Sequence, residues 1–236
     1  MNKGNQKDNI IQLPELLDQV RVFRNRRQAG EVLARMLEGF RLTNTLILAI
    51  PSGGVPVAVV IAEQLQLPLD IAVVSKITLP WNTEAGYGAV AFDGTMRLNQ
   101  DLLPHLRLTE KQLKEGRAQT FEKVRRRLQK FRGDQAMPDL RDRKVILVDD
   151  GLASGFTLLV AVEAVRKAGA ESILVAVPTG SYKSVLRVSR QVETLYCANI
   201  RAGWSFAVAE AYQRWTDVEE EEALSLFQQY QRRHQP

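Results

Sequence analysis

Two adjacent carboxylates, Asp149 and Asp150, stand directly before a run of small and hydroxylated residues, Gly151-Leu152-Ala153-Ser154-Gly155-Phe156-Thr157. A Gly/Ser-rich turn that opens a helix presents several unpaired N–H groups at the positive end of the helix dipole. That is an anion site, and phosphate is its usual occupant. The hydroxyls of Ser154 and Thr157 add donors. Carboxylates so near a phosphate would repel it unless they face sugar hydroxyls or a Mg²⁺ ion. Phosphate, vicinal diol and metal together describe a ribose 5-phosphate ligand. A purely structural strand-to-helix turn is the alternative. A Walker B strand is excluded, because no G-x-x-x-x-G-K-[ST] loop precedes it.

The flanking residues say how such a site is held. Val145–Val148 is a short apolar run that suits a buried strand. Leu158, Ala161, Val162 and Val165 repeat with helical spacing, Gly169 stands past their end, and Ser172–Val177 reads as the next strand. A second unit of the same kind lies upstream: strand Thr45–Ile50, loop Pro51-Ser52-Gly53-Gly54, helix Val55–Leu65 and strand Asp70–Ser75. In open parallel sheets ligands sit beyond the carboxyl ends of the strands, so the two loops are expected to face each other across one cleft. Two consecutive glycines let backbone N–H groups approach a second anion. Lys76 ends the next strand, and Ile77–Gly88, with Pro80, Trp81, Gly86 and Gly88 and no clean periodicity, reads as a long mobile loop of the kind that closes over active sites. Ala89–Phe92 and Thr95–Leu98 read as a hairpin turned by Asp93-Gly94.

Elsewhere, Phe23–Phe40 reads as a helix whose start carries Arg24, Arg26 and Arg27, either phosphate contacts or a solvated basic end. Thr109 with Gln112 fits a capping box for a helix reaching about Phe131. Its basic run Lys123–Arg127 is mixed with Glu110, Glu115 and Glu122, which suits a solvated face or dimer flank better than a nucleic-acid surface. Pro178–Ser181 reads as a strand-end loop, followed by a short helix to Gln191 and a strand at Thr194–Ala198, and Asp217 with Glu220 reads as the cap of a final helix to Tyr230. Gly203-Trp204-Ser205-Phe206-Ala207 echoes a hydrolase nucleophile elbow but has Ala at its fifth position, and the only later histidine is His234.

With 236 residues, 45% of them hydrophobic, the chain suits one α/β domain with a substantial core. Residues 1–13 read as a frayed polar lead-in. The single cysteine, Cys197, excludes an internal disulfide framework and falls in a strand-like run, where a buried thiol is expected. No apolar run reaches membrane-spanning length, and a cytoplasmic protein is the default. The net charge of +5 mildly favours anionic ligands.

The run Val145–Thr157 resembles the phosphoribosyl-pyrophosphate (PRPP) motif of type I phosphoribosyltransferases. Phe23–Gly30, Pro51–Pro56, Val74–Lys76 and Gly88–Val90 are similar to a bacterial and archaeal subgroup of that family whose acceptor is unassigned. The resemblance spans nearly the whole chain. It implies a mostly parallel central sheet flanked by helices, a small hood, with residues 199–236 contributing to the hood or to dimer contacts, and a homodimer without membrane or nucleic-acid partners. It also implies roles. Asp149 and Asp150 bind ribose hydroxyls directly or through Mg²⁺. Ala153, Ser154, Gly155, Phe156 and Thr157 hold the 5-phosphate. Ser52, Gly53, Gly54 and Lys76 hold pyrophosphate. Trp204 and Phe206 flank a nucleobase-like acceptor, with a core or dimer contact as the alternative for Trp204. The implied activity is phosphoribosyl transfer from PRPP, the rival a PRPP- or nucleotide-sensing regulator on the same fold. Two departures stand out: Ser52 replaces the arginine usual in the pyrophosphate loop, and Phe156 the small residue usual before the final threonine.

Overall fold

The structure, a computed structural model, describes residues 9–234, apart from the side chains of Thr83 and Glu84. Nine strands occur among these residues: β1 (Ile10–Ile11), β2 (Leu46–Ala49), β3 (Leu69–Ile71), β4 (Val74–Leu79), β5 (Asn82–Ala91), β6 (Met96–Leu98), β7 (Lys144–Val148), β8 (Ser172–Ser181) and β9 (Thr194–Arg201). The helices are α1 (Arg26–Met36), α2 (Gly54–Leu65), α3 (Leu103–Leu106), α4 (Glu110–Arg132), α5 (Phe156–Lys167), α6 (Tyr182–Ser189) and α7 (Glu220–His234).

Because β2 and β7 are apolar on both faces, they can only be inner strands. They lie side by side in a six-stranded sheet of order β1-β9-β8-β7-β2-β3, parallel throughout. Along β2, Ile47 and Ala49 join the core beneath α1, α2, α4 and α7, while Leu46 and Leu48 join the core beneath α5 and α6. The chain leaves β2 through α2 toward β3 and leaves β7 through α5 toward β8. The boundary between β2 and β7 is therefore the switch point where such sheets bind ligands. Their register pairs Ala49 with Val148, which brings the loop after β2 level with Asp149.

Strands β4, β5 and β6 form a separate antiparallel sheet. The expected strand Asp70–Ser75 is thus two strands in two sheets, broken after Ile71. Lys76 lies inside β4 rather than at a strand end, and the segment 77–88 is mostly β-hairpin rather than an irregular loop. Weak periodicity concealed the pairing, because Gly86 and Gly88 leave no side chain to alternate. Residues 178–181 continue β8 instead of turning, with Thr179 opposite Asn199 in β9. Ile10 and Ile11 pair with Leu195 and Tyr196, so this part of the lead-in is a strand; residues 1–8 lie outside the described residues. Thr109 and Gln112 form the expected reciprocal cap of α4. α7 starts at Glu220, three residues beyond the cap expected at Asp217. Cys197 is buried, and burial raises its thiol pKa.

Candidate active site

β7 delivers Asp149 and Asp150 to the rim of the sheet because its four apolar residues are consumed by the two cores. The chain then bridges sideways: Leu152 N–H donates to Thr179 O at 2.9 Å, and Ser181 N–H donates to Leu152 O at 3.0 Å. Gly155, with φ +73, turns the backbone into α5 in a conformation that side chains disfavour. Ser181 and Ser184 donate their hydroxyls to Ala153 O, and Arg187 Nη1 donates to Ser154 O at 3.1 Å. Phe156 N–H donates to Ser154 Oγ at 3.3 Å, and with the Ala153 and Ser154 carbonyls tied outward to β8 and α6, the other N–H groups of Ala153–Thr157 can face an anion.

Asp149, Gly151, Leu152, Ala153, Ser154, Gly155, Thr157, Leu158, Lys76 and Val208 line one cleft of 180 Å³. Lys76 and the acidic pair, far apart in sequence, therefore meet. Phe156 does not line this cleft. It lies on the other side of the α5 start, in a 620 Å³ groove with Arg97 and Arg187, so its bulk leaves the phosphate loop open. Val208, which the sequence did not single out, presses on Gly151: a Cβ there would lie 2.6 Å from Val208 Cγ2.

The loop after β2 packs against the second acid. A Cβ on Gly53 would lie 2.6 Å from Asp150 Cγ, so only glycine fits beside that carboxylate. The Pro51–Ser52 peptide is cis. Asp150 Oδ2 accepts from Arg26 Nε at 2.8 Å and pairs with Arg26 Nη2 at 2.8 Å. Arg26 Nη1 donates to Thr216 O at 2.7 Å, and its guanidinium lies 3.8 Å from the Trp215 ring centroid. Tyr212 donates its hydroxyl to Asp150 O at 2.7 Å. Of the three arginines at the start of α1, Arg26 thus serves the acidic pair. Its helical position, one residue past the Asn25 cap, was the signal available in sequence. Nothing in sequence pointed to Tyr212 or Trp215, which arrive through a parallel bridge between Phe23 and Tyr212.

Burial raises the pKa of Asp149 well above the ordinary carboxylate value, and the neighbouring Asp150 charge adds to it. Burial also raises Asp150, but the Arg26 guanidinium opposes the rise. Tyr212, buried beside these carboxylates, is raised well above an ordinary phenol and stays a proton donor.

No cluster of three or more His, Cys, Asp or Glu side chains suited to a metal occurs among the described residues. Asp149 Oδ1 accepts the Asp150 N–H at 2.9 Å, and its carboxyl group also faces that of Asp150. A single carboxyl group lining the cleft beside an anion loop suits a Mg²⁺ ion that arrives on substrate phosphates and keeps its water, not an ion in a protein cage. Trp204 is fully exposed and, with Phe206, Tyr182 and Arg201, lines a separate 510 Å³ pocket. That pocket shares Ser181 with the rim of the phosphate loop, through its bond to Ala153. Among the described residues, no helix is long and apolar enough to cross a membrane.

Two Mycobacterium tuberculosis sequences, from strains CDC 1551 / Oshkosh and ATCC 25618 / H37Rv, are each 31% identical over 207 residues and are named as candidate phosphoribosyl transferases. The alignment covers 88% of this chain but 46% of theirs, so the chain spans less than half the length of these curated relatives. The crystal structure of TT1426 from Thermus thermophilus matches with a TM-score of 0.71 at 29% identity, covering 88% of this chain and 98% of that one. Residues 21–211 match the family model described as a phosphoribosyl transferase domain, a span that runs from the segment before Arg26 to the residue before Tyr212. The chain belongs to the phosphoribosyl transferase domain family, with the fold of the type I enzymes.

Proposed function

We propose that this protein transfers the 5-phosphoribosyl group of PRPP to a ring nitrogen of a nucleobase-like acceptor and releases pyrophosphate. The observation that carries the reading is the convergence of Lys76, Asp149 and the phosphate loop on one cleft at the sheet's switch point. The loop Ala153–Thr157 takes the 5-phosphate on its N–H groups and hydroxyls. Asp149 takes the ribose diol. Ser52, Gly53, Gly54 and Lys76 receive the pyrophosphate. Bound Mg²⁺, held at Asp149, would neutralise pyrophosphate charge.

In the reaction the C1–O bond breaks with its electron pair leaving on pyrophosphate. The acceptor nitrogen's lone pair forms the new bond to C1, and the nitrogen's proton passes to solvent. The transition state carries positive charge at C1 and the ring oxygen. A fixed carboxylate beneath the ribose and a cation at the leaving group stabilise that separation, and positioning supplies much of the remainder. The acceptor enters along residues 201–208, with Val208 at the cleft and Trp204 and Phe206 on the adjoining wall. The working state is a cytoplasmic homodimer.

A second reading, a PRPP- or nucleotide-sensing regulator, is favoured by Ser52, which leaves the pyrophosphate loop without its usual cation. Incubation with PRPP, Mg²⁺ and a mixture of nucleobases separates the two. Base-dependent pyrophosphate release supports the enzyme; PRPP binding without turnover supports the regulator.

A further inference from the structure

Arg26 is placed like a substrate-binding cation, at a helix start beside the acidic pair, yet each of its three nitrogens is already engaged. Nε and Nη2 engage Asp150, Nη1 engages Thr216 O, its face lies on Trp215, and its side chain is only 10% exposed. Asp150 is held from the other sides as well. Tyr212 binds its backbone carbonyl, and Gly53 covers its carboxyl group. Asp149 differs: it lines the cleft, and its hydrogen-bonding contacts among the described residues are with Asp150 alone, whose N–H it accepts at 2.9 Å and whose carboxyl group it faces. Two adjacent acids thus have two fates.

We infer that Arg26 is a positioning residue that withdraws Asp150 from ligand binding and leaves Asp149 as the single carboxylate offered to the ribose. This rests on the PRPP reading of the cleft and makes it more specific. An incoming PRPP carries several negative charges, and two free carboxylates at the strand end would oppose it. Pairing one of them with a buried guanidinium halves that opposition without removing the acid that receives the diol. The same pair fastens the C-terminal segment, through Trp215 and Thr216, to the strand end, so Val208 is held over Gly151. The contact therefore sets ligand charge and cleft shape at once.

A charge-cancelling role has a signature that a packing role lacks: removing both partners repairs what removing one damages. The test is calorimetric titration of PRPP with Mg²⁺ into the wild type, Asp149→Asn, Asp150→Asn, Arg26→Met and the double variant Arg26→Met/Asp150→Asn. Asp149→Asn is expected to weaken binding by about a hundredfold or more, and Asp150→Asn by about tenfold or less. Arg26→Met frees the Asp150 charge and is expected to cost about tenfold, with the double variant binding more tightly than Arg26→Met alone. Equal losses at the two acids, or losses at Arg26 and Asp150 that simply add, would overturn the inference while leaving the PRPP reading intact. A wild type that does not bind PRPP would overturn both. If Arg26→Met does not fold, the neutral Arg26→Gln replaces it, and the same recovery on adding Asp150→Asn is the deciding result.

Discussion

Gly53 lies against the Asp150 carboxyl group, in the space a side chain would fill. The contact joins the two loops of the site, and neither can easily retreat: Asp150 is pinned by Arg26 and Tyr212, and Gly53 leads directly into α2. Gly53→Ala should therefore overpack the joint and cost about 1–3 kcal/mol of stability. Urea midpoints for the two proteins check this; equal midpoints would show that the loops part freely.

PRPP with Mg²⁺ should protect the folded protein against heat, since a ligand bound only by the native state shifts unfolding by mass action. At a hundredfold excess over its dissociation constant the gain is about 2.7 kcal/mol. Differential scanning calorimetry with and without millimolar PRPP and Mg²⁺ measures it. An unmoved transition argues against the ligand.

Asp149 imposes a pH dependence whose sign can be stated. Its carboxyl group is raised well above the usual value in the folded state, by burial first and Asp150 second. The native state therefore holds a proton that the unfolded chain gives up near its ordinary value of about 3.9. Stability of the free protein should fall as pH rises from that value through the raised one. Asp149→Asn should remove this decline, melt higher than the wild type at neutral pH without ligand, and lose the response to PRPP. Melting curves from about pH 4 to about pH 8 decide it. A variant less stable than the wild type at neutral pH would make Asp149 a structural group.

Trp204 is fully exposed, so Trp204→Ala should alter stability by no more than about 0.5 kcal/mol. If its ring stacks on the acceptor, the loss should be roughly 1–3 kcal/mol of acceptor binding. It should read out as a raised acceptor KM with PRPP affinity held within about twofold. Steady-state kinetics against each substrate in turn check the split, and a fall in PRPP affinity instead would remove Trp204 from the acceptor wall.

The parts of the site that one strand and one turn specify were legible in the chain itself. Val145–Val148 could only be buried, the acids had to follow it, and the glycines had to turn. The capping box at Thr109 was readable for the same reason: donor and acceptor sit within one helical turn of each other. The hairpin at 77–88 was not, because its stability lies in backbone bonds between partners that carry little side-chain pattern. The Arg26–Asp150 pair spans 124 residues. Its partners looked like a solvated basic helix start and a ligand-binding acid. The pairing of 21–24 with 210–214, through the Phe23–Tyr212 bridge and the Arg214 N–H to Arg24 O bond, sets the Trp215 face beside the guanidinium. Phe156 stood out in the motif as a bulky residue where a small one is usual, and its ring lies in the neighbouring groove rather than in the cleft.

The six-stranded sheet ends in the two-residue β1 on one side and the three-residue β3 on the other, after which the chain bends away into the antiparallel sheet. Strand edges are where sheets of different molecules join, by offering each other a row of unpaired N–H and C=O groups. In this sheet the apolar strands β2, β7 and β8 that carry the acids and the loops are all interior, and its two outer strands present few free groups to template a neighbour. A sheet rich in valine and isoleucine is thereby kept from edge-to-edge growth, and the wide hydrophobic platform needed to aim two loops at one ligand carries little risk of aggregation.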